Sequence, residues 1–276
     1  MLTLNLGPFA LAASHVLILG SFLLAMITGW WAGRRSGHNP EGMLFNLLLI
    51  ALVVARLAFV ITYAQHYRDD VWAIIDIRDG GFIAWPGVLT AVAWAGWQVR
   101  RSPGLRRPLG VALAVGLLGW GAGSVSLSAL EQGARLPDLS LSNPEGSSVA
   151  LHRYLGKPLV INIWASWCPP CRREMPVLKA AQQANPDVTF LFINQGESAD
   201  IVNGFLVAQG LALRNVLLDR DNRLGRHVGS MALPTTLFYD VQGRQVGSHL
   251  GELSHASLAH VLNGLRADNQ SAADKK

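Results

Sequence analysis

The chain has 276 residues, 50% of which are hydrophobic, and its formal net charge is +5. This length predicts about two domains. The apolar residues are concentrated before residue 131, and no lysine precedes Lys157, so the composition predicts a membrane half followed by a soluble half. The positive charge does not indicate nucleic-acid binding, because the arginines of the first half cluster in short loops between apolar segments.

Four apolar segments in the first half each have nearly the ~20 residues that a helix needs to cross a bilayer. They are residues 9–31, 43–64, 82–99 and 108–130, and the third is the shortest. The first segment lacks early basic residues and a small-residue cleavage pattern, which predicts a retained helix instead of a signal peptide. The fold class predicted for residues 1–130 is therefore an all-α, four-helix transmembrane domain in contact with membrane lipid.

Arginines predict the orientation of these helices. Two follow the first segment and four lie between the third and the fourth: Arg34, Arg35, Arg100, Arg101, Arg106 and Arg107. The loop between the second and third segments mixes arginine with aspartate. Because arginine-rich loops face the cytoplasm, the N-terminus and everything after Leu130 are expected outside. The prediction is a multi-pass protein of the bacterial cytoplasmic membrane with its C-terminal domain in the periplasm.

The only two cysteines lie in the segment Trp167-Cys168-Pro169-Pro170-Cys171. An apolar, strand-like run precedes them and a helix-like run follows. Free N–H groups and the dipole at a helix N-terminus stabilise a thiolate. Cys168 is therefore predicted to be the exposed nucleophile of a thiol–disulfide exchange, and Cys171 the thiol that resolves the mixed disulfide.

The cysteine motif contains two prolines, Pro169 and Pro170. Proline is tolerated in a first helical turn, so Pro169 and Pro170 are expected to stiffen the loop and tune its redox potential.

Two alternatives to a redox-active cysteine pair are half of a zinc site and a buried inert pair. Zinc normally takes four ligands, and no second cysteine pair or closely spaced histidine pair follows. We expect no metal and no cofactor besides the redox-active disulfide.

The second half alternates short apolar strands with helices, which indicates a layered α/β domain. The domain is predicted over residues 138–266, after a polar linker at 131–137 and before a flexible tail at 267–276. The predicted strands cover residues 159–165, 188–194, 215–218, 235–239 and 245–250, and the predicted helices cover 170–184, 199–209 and 255–265.

Three motifs in residues 136–265 resemble the thioredoxin superfamily and, within it, the TlpA/ResA-like membrane-tethered branch. They are Gly156-Lys157-Pro158, the run from Asn162 to Pro176 and Leu233-Pro234-Thr235-Thr236. The resemblance implies a thioredoxin-like fold with a central mixed sheet. It also implies that Pro234 is a cis-proline facing the cysteines, that Leu233 pairs with a substrate strand and that Trp167 shapes the docking surface.

One departure from thioredoxin itself concerns proton transfer. Asn162 stands where thioredoxins commonly have a buried aspartate that moves protons for the second thiol. Glu174 follows Cys171 by three residues and can share its helix face, and a glutamate at this position tunes the cysteines in the ResA-like branch. Glu174 is therefore a candidate proton acceptor for Cys171. The alternative is an ordinary first-turn carboxylate favoured by the helix dipole.

Residues 4–100 resemble the first part of prolipoprotein diacylglyceryl transferases. The matching segments are Leu6-Gly7-Pro8-Phe9-Ala10-Leu11, Gly33-Arg34-Arg35, Ala55-Arg56-Leu57-Ala58-Phe59-Val60 and Gly80-Gly81-Phe82. That family has a catalytic histidine in a Gly-Gly-x-x-x-His-Gly-Gly pattern, and Trp85 stands at the histidine position. The family's larger second half is also missing.

The resemblance therefore implies a truncated domain that has lost acyl transfer and serves as an anchor or docking surface. Arg56 is a candidate functional residue, because a charge within a membrane segment is costly. Retained lipid binding is the alternative role of this domain.

The function predicted is a membrane-anchored reductase of disulfides in extracytoplasmic proteins, a direction that the TlpA/ResA resemblance favours. The membrane half contains no cysteine, so recharging needs a separate membrane donor such as a DsbD-type reductase. Three alternatives stay open: a disulfide-forming oxidase of the same fold, a lipid-modifying transferase with a redox appendage, and a redox-inert docking module.

Overall fold

The computed structural model describes residues 3–6, 9–34, 37, 39–68, 70–132 and 134–273. The chain packs as two compact units. One comprises Ala13–Leu127, and the other comprises Ser128–Lys276 together with Met1–Ala12.

Two short strands precede the first helix. β1 (Thr3–Leu6) and β2 (Phe9–Ala12) pair antiparallel, from Thr3 opposite Ala12 to Leu6 opposite Phe9. The first apolar segment, predicted at about residues 9–31, therefore starts as a helix later than its predicted bound. The backbone of residues 9–12 takes part in this ladder, so the helix begins at Ala13.

The helical unit contains the four helices that the sequence predicts. They are α1 (Ala13–Gly33), α2 (Glu41–Thr62), α3 (Ala84–Arg101) and α4 (Arg106–Gln132, which runs on past the boundary of the unit). Among the described residues, three segments are long and apolar enough to cross a membrane: Ala13–Gly33, Glu41–Thr62 and Pro103–Ala129. α3 is not among them, because its 18 residues include Gln98, Arg100 and Arg101, which make its mean hydropathy too low. Its crossing of the membrane stays a prediction.

Small residues allow these helices to approach closely. A Cβ atom on Gly123 of α4 would lie 2.3 Å from Leu17 of α1, and one on Gly87 of α3 would lie 2.2 Å from the carbonyl oxygen of Ala51 of α2. Close backbone approach through glycine is typical of helix packing in membranes, where the hydrophobic effect does not drive association between helices.

A mixed sheet forms the centre of the second unit, as the resemblance implies, and it has seven strands where the sequence predicts five. Its strands are β3 (Ser140–Ser142), β4 (Ser148–Ala150), β5 (Leu159–Trp164), β6 (Thr189–Gln195), β7 (Val216–Asp219), β8 (Thr235–Tyr239) and β9 (Gln245–Leu250). Their order is β4-β3-β7-β6-β5-β8-β9. The neighbours β5, β6 and β7 are parallel, and the other pairs are antiparallel.

Helices cover this sheet. They are α5 (Pro169–Ala184), α6 (Ala199–Ala208), α7 (Arg223–Val228) and α8 (His255–Ala273). Alternate residues of a strand point to opposite faces, and two buried clusters result. Val160 and Phe192 pack with residues of α5, α6 and α8, whereas Ile161 and Ile193 pack with Leu224 of α7. Because both faces are covered, β5 is buried along its whole length.

The ends of this unit differ from the prediction. α4 extends to Gln132, and residues 134–137 of the predicted 131–137 linker join the domain. The Gln245 N–H donates to the Ala134 carbonyl at 2.8 Å, the Leu136 N–H donates to the Gly243 carbonyl at 2.8 Å, and Leu136 is only 4% exposed. Burial of that leucine explains why the linker is not free.

The predicted tail at residues 267–276 also begins inside a helix, because α8 continues to Ala273. The residues from Arg266 to Ala273 include no glycine or proline, the two residues that most strongly disfavour a helix. The helical pattern therefore does not end where the apolar residues end.

Candidate functional site

The two cysteines lie where β5 leads into α5. Cys168 directly precedes the first residue of α5 and is bonded to Cys171, with the two Cα atoms 5.3 Å apart. The Cys171 N–H lies 3.3 Å from the Cys168 sulfur, which caps the helix. When the disulfide is reduced, this N–H group and the helix dipole are in place to stabilise a thiolate at Cys168.

The exposure of Cys168 corrects one expectation. In the bridged form it is only 3% exposed and Cys171 is fully buried, so Cys168 is not the exposed residue that the sequence predicts. Both sulfurs belong to the apolar cluster on the α5 side of the sheet, against which Leu233 packs. The exposed residues of the motif are Trp167, at 67%, and Pro169.

The loop before β8 lies beside the cysteines. Thr235 pairs with Ile163 of β5, so Pro234 lies level with the end of β5 where the cysteine motif starts. The Leu233–Pro234 peptide bond is cis, as predicted. The Thr235 hydroxyl donates to the Ala232 carbonyl at 2.7 Å and closes this loop.

A buried polar group lies under the motif. Glu174 is fully buried, its Oε1 accepts a hydrogen bond from Asn162 Nδ2 at 2.8 Å, and its Oε2 accepts one from the Leu253 N–H at 3.2 Å. Burial raises the pKa of Glu174 to about 8, although the two hydrogen bonds lower it; the nearby charge of Glu252 raises it further. Near neutral pH this carboxyl can take up or release a proton, which a solvated first-turn carboxylate cannot do.

A second buried glutamate, which the sequence did not single out, holds the other side of the motif. Glu197 accepts hydrogen bonds from the Ser166 N–H at 2.7 Å, from the Ser166 hydroxyl and from Asn194 Nδ2 at 2.7 Å. Glu197 follows β6, which is parallel to β5. The carboxyl ends of parallel strands meet at one edge of a sheet, and this proximity was the signal that could have found it.

Arg56 in α2 is enclosed by the polypeptide. Its five N–H groups all have acceptors: the carbonyl oxygens of Ala73, Ile74, Asp76 and Gly81 and the carboxylate of Asp79, at 2.6 to 3.0 Å. Guanidinium has five donors in total, so no N–H group of Arg56 remains to bind a lipid phosphate. Trp85, which stands at the transferase histidine position, is exposed.

In a comparison with known proteins, each half of the chain matches a different family model. Residues 131–262 match the Redoxin family model, and residues 2–123 match the prolipoprotein diacylglyceryl transferase model. The thiol-disulfide oxidoreductase ResA of Geobacillus thermodenitrificans (strain NG80-2) is 34% identical over 141 residues, which is 50% of this chain and 80% of that protein. ResA of Bacillus subtilis (strain 168) is 27% identical over 144 residues, 51% of this chain and 78% of that protein.

A solved structure is also similar. It is a secreted Mycobacterium tuberculosis disulfide oxidoreductase homologous to E. coli DsbE, with 24% identity and a TM-score of 0.43 over 46% of this chain and 96% of that chain.

A mixed sheet with a Cys-x-x-Cys pair at the start of a helix, in a region that matches the Redoxin model, defines a thioredoxin-like disulfide oxidoreductase. The chain belongs to the ResA family of thiol-disulfide oxidoreductases. Its first half carries a prolipoprotein diacylglyceryl transferase-like domain with apolar helices, which makes it a membrane protein. The fusion predicted from the sequence is confirmed.

Proposed function

We propose that this protein is a membrane-anchored reductase of disulfides in extracytoplasmic proteins, with Cys168 as nucleophile and Cys171 as resolving thiol. The observation that carries the proposal is the position of the cysteine pair at the start of α5. The same helix holds Glu174, whose buried carboxyl has a pKa raised to about 8. ResA-type relatives are named as thiol-disulfide oxidoreductases, which supports the same chemistry here.

The first step forms a mixed disulfide. The Cys168 thiolate attacks one sulfur of a substrate disulfide, the substrate S–S bond breaks, and the other substrate sulfur leaves as a thiolate. Trp167 is exposed beside the motif and offers an apolar docking surface. Leu233 and Pro234 lie at the end of β5, where a substrate strand can pair with the Leu233 backbone. Pro169 and Pro170 occupy the first turn of α5 and stiffen it.

The second step releases the substrate. Cys171 loses its proton to the ionised form of Glu174, which is the minority form at pH 7. The Cys171 sulfur then attacks the Cys168 sulfur while the second substrate sulfur leaves as a thiolate. Two electrons pass to the substrate, and the Cys168–Cys171 disulfide remains. A base whose pKa lies near the working pH is suited to this transfer, and burial gives Glu174 that pKa.

The oxidised protein must then be reduced again. The membrane half contains no cysteine and cannot relay electrons by dithiol exchange. We propose a separate membrane donor, such as a DsbD-type reductase. The membrane half itself serves as an anchor, because Trp85 replaces the transferase histidine and Arg56 has no donor left for a lipid phosphate.

Four crossings of the bacterial cytoplasmic membrane would leave the C-terminal domain in the periplasm. Two arginine–tryptophan stacks support this topology, at the C-terminal ends of α1 and α3. The Arg34 guanidinium lies 4.0 Å from the Trp30 ring centroid, and that of Arg101 lies 4.0 Å from the Trp97 ring centroid. Tryptophan anchors a helix end at either interface, whereas arginine favours the cytoplasmic one, so both ends are expected on the cytoplasmic side.

Mixed-disulfide trapping tests the proposal. In cells that produce Cys171→Ala, Cys168 should hold extracytoplasmic proteins in adducts that dithiothreitol releases. The matched control Cys168→Ser should hold none, and the wild type should hold few because Cys171 resolves them. Equal adduct levels in Cys171→Ala and Cys168→Ser, or adducts with cytoplasmic proteins alone, would contradict the proposal.

A further inference from the structure

The segment Val71–Ile77, here called the apolar loop, lies between α2 and α3 and has several exposed apolar side chains. The side chains of Val71, Trp72, Ile75 and Ile77 are between 62% and 82% exposed. Several exposed apolar side chains in one short segment indicate a site of interaction with a protein or a membrane. The one acidic residue among them, Asp76, is paired with Arg78.

The backbone of the apolar loop is turned away from that surface. Arg56 donates to the carbonyl oxygens of Ala73 at 3.0 Å, Ile74 at 3.0 Å and Asp76 at 2.6 Å. In hydrocarbon, irregular backbone is tolerated only where its polar groups have partners within the protein. Arg56 supplies these partners to carbonyl groups that would otherwise need water.

The N–H groups at the start of the apolar loop are paired as well. The carboxylate of Asp70 accepts hydrogen bonds from the N–H groups of Trp72 at 3.0 Å and Ala73 at 3.3 Å. The Ile75 N–H donates to the Trp72 carbonyl at 3.1 Å. The first half of the apolar loop is thus one turn of 3₁₀-helix, Val71–Ile74, with a capped N-terminus.

The charge of Arg56 is neutralised under the apolar loop. Its Nη1 lies 2.9 Å from the carboxylate of Asp79, and the two side chains are only 9% and 8% exposed. Gly81 closes this arrangement, since a Cβ atom there would lie 2.4 Å from the Phe59 ring. A paired, buried charge beneath apolar side chains is compatible with a low-dielectric environment, whereas a water-facing loop would not require it.

The membrane helix that precedes the apolar loop in the chain also exposes apolar side chains near its end. Leu57 and Ile61 in the last turns of α2 are exposed and apolar, and α2 is one of the segments able to cross a membrane. We propose that the apolar loop inserts its side chains among the lipid acyl chains of the leaflet at that end of α2, with Trp72 at the headgroup level. This proposal requires that α2 span the membrane, but it does not depend on the redox activity.

Spin-label depth measurements test the insertion. The full-length chain with Cys168→Ser and Cys171→Ser is placed in phosphatidylethanolamine–phosphatidylglycerol nanodiscs, and a nitroxide is attached at Ile75→Cys. Accessibility to oxygen and to a water-soluble nickel chelate is then compared with two references, Ile61→Cys on α2 and Glu145→Cys in an exposed turn. We expect the Ile75 label to match the Ile61 reference. A label at Ile75 that matches the Glu145 reference would overturn the proposal.

Arg56→Lys tests the role of the guanidinium in the same assay. Lysine keeps the charge but has fewer donors and no planar fork, so the backbone carbonyls lose partners. We expect the Ile75 label to move toward the Glu145 reference while the helical circular dichroism is retained. A label that keeps the Ile61 pattern would show that Arg56 is not what allows the loop to enter lipid.

Discussion

Glu174 is the residue whose environment most constrains the chemistry of the cysteine pair. Burial raises its pKa to about 8, so its carboxyl is expected to be mostly protonated at pH 7. Difference infrared spectra of wild type against Glu174→Gln should therefore contain a protonated-carboxyl stretch at neutral pH that disappears with a midpoint near pH 8. Disappearance near pH 4.5 would contradict this burial effect.

The raised pKa also fixes the direction of a stability change. Glu174 binds its proton more tightly in the folded state than in the unfolded one, where its pKa is close to the ordinary value of 4.5. The protonated Glu174 carboxyl therefore contributes fully to the free energy of unfolding below pH 4.5. That contribution, on the order of a few kcal/mol, is lost as the pH rises through about 8. The thermal midpoint of the wild type should fall relative to that of Glu174→Gln over this window.

Glu174→Gln should slow one step of the exchange and spare the other. Glutamine cannot accept the Cys171 proton, so release of the mixed disulfide should slow at neutral pH by roughly 10-fold or more. Formation of the mixed disulfide by Cys168 should keep its rate. Rapid acid quench followed by alkylation separates the two steps, and equal slowing of both would reduce Glu174 to a packing residue.

The sequence predicted part of this site and missed part of it. The cysteines and Glu174 follow one another on one helix, so spacing alone brings them together. Glu197 is distant in sequence from the motif and reaches Ser166 only because β5 and β6 are parallel neighbours. The burial of Cys168 was missed for a similar reason, since the cluster that contains it also holds residues from other strands and helices.

At the scale of elements, a packed glycine gives a direct test of the helical unit. Gly81→Ala would place a Cβ atom 2.4 Å from the Phe59 ring and 2.7 Å from Arg56 Nη1. Overpacking of this kind costs about 1–3 kcal/mol, so the detergent-solubilised protein should lose its folded fraction at a lower temperature.

The matched control is Gly96→Ala in α3, where an added Cβ meets nothing within 4 Å. Alanine is favoured over glycine inside a helix by about 1 kcal/mol, so this variant should be unchanged or slightly more stable. The folded fraction after heating, measured by size-exclusion chromatography, separates the two variants. A Gly81→Ala protein as stable as Gly96→Ala would show that the Arg56 region is loosely packed.

Elements with a strong apolar pattern were predictable, and short polar ones were not. β8 has the predicted bounds because its core is apolar, and β9 has its predicted bounds as well. β3 and β4 were missed, since each has three residues and depends on cross-strand pairing. The pairing of β1 with β2 likewise removed residues 9–12 from the first helix.

At the scale of the whole molecule, the number of crossings decides on which side the oxidoreductase domain lies. The sequence predicted both halves of the fusion from their motifs, but it could not settle α3, whose length and basic end are marginal for a membrane span. If the N-terminus is outside and α3 crosses the membrane, the domain lies in the periplasm. If α3 does not cross, the domain lies in the cytoplasm.

Labelling of intact spheroplasts tests this topology. In a chain with Cys168→Ser and Cys171→Ser, a cysteine at Glu145 should react with a membrane-impermeant maleimide without permeabilisation. A cysteine at Gly104, between α3 and α4, should react only after permeabilisation. The reverse pattern would place the domain in the cytoplasm and exclude extracytoplasmic substrates.

The measurement that tests the central claim most directly is the midpoint potential of the Cys168–Cys171 couple in the full-length protein, titrated against glutathione or dithiothreitol buffers at pH 7. For a reductase we expect a value near about −270 mV, comparable to thioredoxin. A value near about −120 mV, comparable to a strong disulfide-forming oxidant, would contradict the reductase assignment.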